Sequence, residues 1–186
     1  MSERRIKVSF TLDEQDIAYF RGRFRKAKRA ARNHDDDEVK VLARELVATV
    51  RSKRGVPNFV TDSVSAIEDL VALIEDEAYR APQAVVTKVI AALAYFADPD
   101  DLIPDEIPVL GFLDDAIMIK IVEAEFKHEL AAYRKFRRFR RGAEQRPWTK
   151  VAQGRLPGRL EAERKKLRED IDRKQKADEK KLPGIL

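Results

Sequence analysis

The chain has 186 residues, of which 44% are hydrophobic and 38% are charged, against roughly 25% charged residues in an average globular protein. It contains no cysteine, which excludes disulfides, thiolate zinc sites and cysteine nucleophiles. No apolar run reaches the roughly 20 residues that a membrane-spanning helix needs. We therefore expect a cytoplasmic protein without a transmembrane segment, with the periphery of a membrane as the alternative location.

The net charge of +5 is distributed very unevenly along the chain. Residues 1–33 contain ten basic and four acidic residues, a net charge of +6. Residues 34–133 contain nine basic and twenty-one acidic residues (−12), and residues 134–186 contain nineteen and eight (+11). A basic–acidic–basic chain can fold its ends onto its own middle, or it can offer them to an anionic partner.

The first predicted elements are a strand and a helix. Apolar and polar residues alternate over residues 6–12, which predicts one short N-terminal β segment. Thr11 is followed three residues later by Glu14, and this is the spacing of a capping box. We therefore expect a helix from about Leu12 to Arg32.

The middle of the chain predicts four helices, each with an apolar stripe at helical spacing. The first is expected over about 35–53, and the second begins after a cap at Thr61 or Asp62. The third begins at Pro82, and the fourth is one long helix over 112–141. The stripe of the long helix is Leu113, Ile117, Ile121, Phe126 and Leu130.

The C-terminal part predicts a linker and a charged helix. Gly142, Pro147, Gly154 and Pro157 interrupt the helical pattern, so a linker is expected up to residue 157. The helix that follows, over about 158–180, has only three apolar residues in a dense field of charge, and we expect it to be solvated. Those three are Leu160, Leu167 and Ile171.

These elements predict an all-α fold. We expect a compact helical bundle with one short N-terminal β segment and a charged, partly exposed C-terminal helix. The expected organisation is a basic strand and helix arm over 1–33, a helical core over 34–141, and a basic linker and C-terminal helix over 142–186.

Residues 98–115, which we call the elbow, read DPDDLIPDEIPVLGFLDD. The runs Asp-Leu-Ile-Pro-Asp, Ile-Pro-Val-Leu-Gly and Leu-Asp-Asp within it resemble the signature of the YkvA-like family, a bacterial domain of unknown function. The resemblance covers about residues 85–125 and implies a helical hairpin without an established activity. Many members of that family are predicted to be membrane-associated. Glu106 stands where the family usually has an apolar residue, which disfavours close lipid contact at this position.

The elbow carboxylates have two interpretations. They can cap helices and turns, because a carboxylate accepts backbone N–H bonds and is stabilised at a helix N-terminus. They can also bind a divalent cation, since carboxylate oxygens are the ligands that magnesium, manganese and calcium prefer. The first interpretation is favoured, and no other cofactor is expected. The candidate metal ligands are Asp98, Asp101, Asp105, Asp114 and Asp115.

Two basic segments with interleaved aromatic residues, around residues 19–29 and 133–141, are candidate anion-binding sites. Arginine forks match phosphate oxygens, so the partner would be a nucleic acid or an anionic membrane surface. The alternative is that the arginines pair with the acidic middle of the chain. The candidate residues are Arg21, Arg25, Arg29, Arg137, Arg138, Arg140 and Arg141.

The leading functional prediction is a non-catalytic binding or adaptor module for an anionic partner, and the alternative is a metal-dependent enzyme that uses the elbow carboxylates. An N-terminal β segment followed by two helices is also similar to a ribbon-helix-helix DNA-binding dimer, although no glycine-containing turn joins the helices. The two histidines, His34 and His128, are expected to be solvated, and the sequence contains no phosphate-binding glycine loop. The sequence does not indicate an oligomeric state.

Overall fold

The computed structural model describes residues 11–30, 35–54, 56–97, 112–145 and 150–181. In these ranges the chain forms seven α-helices and one 3₁₀ turn, Ala94–Ala97, so the all-α prediction is confirmed. The helices are α1 (Glu14–Ala30), α2 (Asp36–Ser52), α3 (Asn58–Glu75), α4 (Gln83–Leu93), α5 (Leu113–Glu125), α6 (Lys127–Glu144) and α7 (Lys150–Lys181).

The predicted β segment falls mostly on residues 1–10, which lie outside the described residues. Residues 11–13, which are described, carry no strand, and neither does any other part of the described chain. The same ten residues would form the strand of a ribbon-helix-helix arrangement. That hypothesis therefore stays a prediction.

Helix α3 is the centre of the bundle because almost all of its sides are apolar. It contains no lysine or arginine, and its predicted stripe is confirmed, with Val64, Ile67 and Leu70 fully buried. Helices α2, α4, α5 and α6 all pack against it. The charged residues that α3 carries are all acidic, and three of them, Glu68, Asp69 and Glu75, form ion pairs with arginines of the surrounding helices.

Two clusters of buried side chains make up the core. The larger one joins α2, α3, α4, the 3₁₀ turn and α5, and Phe20 and Phe24 of α1 pack onto it. The second cluster lies where α6 and α7 meet the end of α3 and the loop after it. Its buried members are Leu73, Tyr79, Ala132, Tyr133, Phe136, Leu167 and Ile171.

The predicted capping box of α1 is wrong. The carboxylate of Asp13 accepts hydrogen bonds from the backbone N–H groups of Gln15 (2.8 Å) and Asp16 (3.0 Å). In return, the Asp16 carboxylate accepts one from the N–H of Asp13 at 3.0 Å. This is the reciprocal geometry of a capping box, and it starts the helix two residues later than the Thr11–Glu14 pair predicts.

The helix predicted over 112–141 is divided in two. Phe126, with φ −94° and ψ 16°, separates α5 from α6, and its side chain is buried in the larger cluster. The buried face of α5 is also not the predicted one, because Met118 and Ile119 are fully buried while Ile117 and Ile121 are half-buried. Helix α5 is apolar on most sides, so periodicity could not identify its inner face.

Helix α7 begins eight residues earlier than predicted, at Lys150, and it includes both Gly154 and Pro157. It is also less solvated than predicted, because Leu167 and Ile171 are buried against α6. Three apolar residues at spacings of seven and four are enough to hold one edge of a helix on a neighbour. The prediction that this helix is solvated is therefore wrong for the edge that carries Leu167 and Ile171.

Candidate functional site

The arginines of α6 form two groups, and the first is paired with acids of α3. Arg134 and Arg137 both bind the carboxylate of Asp69, at 2.6 and 2.7 Å. Arg140 binds the carboxylate of Asp76 at 2.7 Å. Two of the predicted anion-binding residues, Arg137 and Arg140, therefore have carboxylate partners inside the molecule.

Asp76 is the most connected of these acids. Its carboxylate also accepts hydrogen bonds from the backbone N–H groups of Ala78 (3.0 Å) and Tyr79 (3.1 Å), and from the Tyr133 hydroxyl at 3.2 Å. Burial alone would raise the pKa of Asp76, but the Arg140 and backbone hydrogen bonds outweigh it and hold the pKa below its ordinary value. This carboxylate joins α6 to the end of α3.

The second group of α6 arginines points outward. Arg138 and Arg141 are both exposed, and neither forms an ion pair with any other residue in the described ranges. They lie one position after Arg137 and Arg140, and one helical residue is a rotation of about 100°. The rotation therefore divides the basic run into a structural face and a free face.

Helix α1 holds the remaining three predicted arginines. Arg25 and Arg29 are exposed and Arg21 is half-buried, and within the described chain none of the three has an ion-pair partner. Their four-residue spacing places them along one ridge of the helix. Tyr19 is 54% exposed and lies about 120° around the helix axis from Arg25, while Phe20 packs onto the core.

The two basic helices pack on different parts of the bundle. Helix α1 contacts the 3₁₀ turn and α4, whereas α6 contacts α3, α5 and α7. Among the described residues, the unpaired arginines of α1 and those of α6 therefore lie on helices that pack against different neighbours.

The structure describes only the last part of the elbow. Asp98, Asp101 and Asp105 lie outside the described residues, so their role as metal ligands stays a prediction. Asp114 and Asp115 are in the first turn of α5, where Asp114 is 4% exposed, and both have interaction partners. No group of three histidine, aspartate or glutamate side chains suited to a metal ion occurs among the described residues.

Phe112, at the end of the elbow, has a strained backbone. Its φ of 66° and ψ of 10° place it in the left-handed region, which a residue with a Cβ adopts only at an energetic cost. The side chain is buried, and the ammonium group of Lys53 lies 4.6 Å from the ring centroid. Tertiary contacts therefore hold the start of α5 in place, although its N-terminal residue offers no side-chain cap.

A buried polar cluster between α6 and α7 was not predicted. The Arg168 guanidinium donates to Oε1 of Glu129 at 2.7 Å, and its Cζ lies 5.8 Å from the ring centroid of Tyr79. Burial raises the pKa of Glu129, and the charge of Arg168 only partly opposes this effect. Glu129 lies four residues before Tyr133 and seven before Phe136, both of which are buried. Residues at these spacings share one helix face, so this spacing was the sequence signal that Glu129 is buried.

His128 is another correction. Its Nε2 lies 2.9 Å from Oδ2 of Asp178, and its side chain is only 20% exposed. Lys127 binds the same carboxylate, and together these two hydrogen bonds hold the pKa of Asp178 down to about 2. His128 therefore helps to attach the far end of α7, and it is not a solvated residue.

Comparison with known proteins gives matches to the segment that contains the elbow. Residues 85–121 match the family model described as a protein of unknown function, DUF1232. The uncharacterized membrane protein YkvA of Bacillus subtilis (strain 168) is 45% identical to this chain over 47 residues. The predicted resemblance of this segment to the YkvA-like family is confirmed. The match covers 25% of this chain and 44% of that protein, so the YkvA-like segment leaves both basic arms outside it.

The YkvA-like segment comprises α4, the 3₁₀ turn, the elbow and the first part of α5. No solved structure matches the chain. Among the described helices, none has the length and apolar character needed to cross a bilayer.

Proposed function

We propose that this protein is a non-catalytic binding module that docks on an anionic membrane surface through the outer face of α1. The observation that carries the proposal is the ridge of Arg21, Arg25 and Arg29 on α1, none of which has an ion-pair partner in the described chain. Arginine side chains along the outer face of a helix suit anionic headgroups. Tyr19, which is 54% exposed on another side of the same helix, is of a residue type enriched at membrane interfaces.

A second observation favours a membrane over a nucleic acid. The Bacillus relative that matches the YkvA-like segment is named a membrane protein. The proposed contact does not use the elbow, where the charge of Glu106 opposes lipid contact. It uses α1, which is held on the core by Phe20 and Phe24 and in which Arg21, Arg25 and Arg29 have no ion-pair partner within the described chain.

The test is co-sedimentation with vesicles of phosphatidylcholine, with and without phosphatidylglycerol. Each basic residue near an anionic surface contributes about 1 kcal/mol, so Arg21→Gln, Arg25→Gln and Arg29→Gln together should weaken binding by on the order of 100-fold. The control variant changes Lys165, Lys166 and Lys176 to glutamine. It removes the same charge from exposed positions of α7, and it should change binding by less than about threefold.

Two outcomes would contradict the proposal. If both triple variants lose binding equally, net charge and not the α1 face determines the affinity. If a labelled nucleic acid duplex binds the protein and anionic vesicles do not, the partner is a nucleic acid. A further variant, Arg138→Gln with Arg141→Gln, measures how much the free face of α6 contributes to either interaction.

A further inference from the structure

Helix α7 is attached along one edge only. It packs on α6 and on the loop after α3, where Arg164 donates to the carbonyl oxygen of Ala78 at 3.2 Å. Among residues 154–179 of α7, whose burial is described, two side chains are buried, Leu167 and Ile171, with Leu160 half-buried beside them. The other described contacts of α7 are made by charged side chains, of which the Arg168–Glu129 pair is more buried than the Asp178 contacts.

Two polar atoms in this interface form no hydrogen bond with any residue of the described ranges. They are the hydroxyl oxygen of Tyr79, a residue that is 1% exposed, and Oε2 of Glu129, which is 5% exposed. Both groups lie against Arg168 of α7. A buried polar atom loses its bonds to water, so docking of α7 is opposed by the desolvation of two groups that detachment would rehydrate.

A third feature weakens α7 from within. Pro157 is its eighth residue, beyond the first turn in which a missing N–H has no consequence. It cannot donate to the carbonyl oxygen of Gln153, and its ring crowds that oxygen. The part of the helix that precedes Leu160 therefore has a weakened hydrogen-bond ladder.

We propose that α7 is a detachable strap. The whole helix dissociates in one step from the body formed by α1–α6, and that body stays folded. Opening uncovers a groove lined by Leu73, Tyr79, Ala132, Tyr133 and Phe136, and it returns the orphaned hydroxyl and carboxylate oxygens to water. The charged contacts at Asp178 and Arg168 close the strap again. This behaviour does not require membrane binding.

Native-state hydrogen exchange of the full chain, followed by mass spectrometry, tests the proposal. Residues 160–176 should exchange at least tenfold faster than residues 64–73 of α3, with similar protection at all positions from 160 to 176. Tyr79→Phe removes a hydroxyl that is unbonded when α7 is docked, so it should slow exchange in α7 severalfold and leave α3 unchanged.

Tyr133→Phe is the matched control. The Tyr133 hydroxyl donates to the carbonyl oxygen of Ala72 at 3.0 Å and to Asp76, so its loss should speed exchange in α3 and α6. Equal protection in α7 and α3 would mean that α7 opens only by global unfolding. That result, or unchanged or faster α7 exchange in the Tyr79→Phe variant, would overturn the proposal.

Discussion

Arg140 donates a hydrogen bond to Asp76 at 2.7 Å, and this pair joins the basic run of α6 to the acidic middle of the chain. The Asp76 side chain is 7% exposed and that of Arg140 is 28% exposed. The pair therefore belongs to the bundle, and the charge of Arg140 is directed to α3.

Asp76→Asn should lower the free energy of unfolding by about 2 kcal/mol, because a charged hydrogen bond is lost and Arg140 stays partly buried. Urea unfolding at pH 7 measures the change. Asp172→Asn is the control, since Asp172 is exposed on α7, and it should change stability by no more than about 0.5 kcal/mol. Similar effects of the two substitutions would show that the Arg140–Asp76 pair is not structural.

Asp76 and Glu129 should contribute to the free energy of unfolding with opposite pH dependence. The pKa of Asp76 is lowered in the folded state, so its contribution is present above its ordinary pKa of about 4 and is lost as the pH falls below that value. Burial raises the pKa of Glu129 above its ordinary 4.5. Its contribution is therefore present below 4.5 and is lost as the pH rises through the raised folded value.

The variant Glu129→Gln isolates the second effect. As the pH rises from 4.5 to 7, the free energy of unfolding of the wild-type protein should fall relative to that of the variant, because only the wild type ionises a buried carboxyl group. Urea unfolding at several pH values measures this difference, with Glu161→Gln, at an exposed position of α7, as the control. A pH-independent difference would contradict the prediction.

Two isoleucines of α5 test which face of the helix is buried. Ile119 is fully buried and Ile117 is half-buried, although the sequence pattern favoured Ile117. Ile119→Ala should cost about 3 kcal/mol, because it removes buried methyl groups and leaves a cavity. Ile117→Ala should cost about 1 kcal/mol. The same residue type on the same helix makes the pair a matched comparison, and the reverse order would show that α5 is rotated.

The start of α1 provides a local test. Asp13→Ala should lower stability by about 1 kcal/mol, because its carboxylate accepts two backbone N–H bonds. Thr11→Ala should have an effect within about 0.5 kcal/mol, since residue 11 precedes the observed cap. Thermal unfolding followed by circular dichroism compares the two variants, and a larger effect of Thr11→Ala would restore the cap that the sequence predicted.

Local chemistry explains what the sequence by itself determined. Helical periodicity predicted the buried stripe of α3 and only half of that of α2, where Val39 and Val50 are buried but Ala43 and Val47 take the places of the predicted Leu42 and Leu46. The proline and aspartate pattern of residues 98–115 predicted the YkvA-like segment, because proline geometry depends only on neighbouring residues. The same local rules could not identify the inner face of α5, where apolar side chains occur on most sides.

Only the tertiary structure decided which arginines are free. Arg137 and Arg138 are adjacent in a run of cations, and nothing local distinguishes them. Their roles differ because α3, some seventy residues earlier, presents Asp69 to one side of α6 and not to the other. The burial of Glu129 likewise depends on α7 folding back onto α6. Ion pairing and burial depend on distances between segments that are far apart in the sequence. The order of residues within one segment therefore does not predict them.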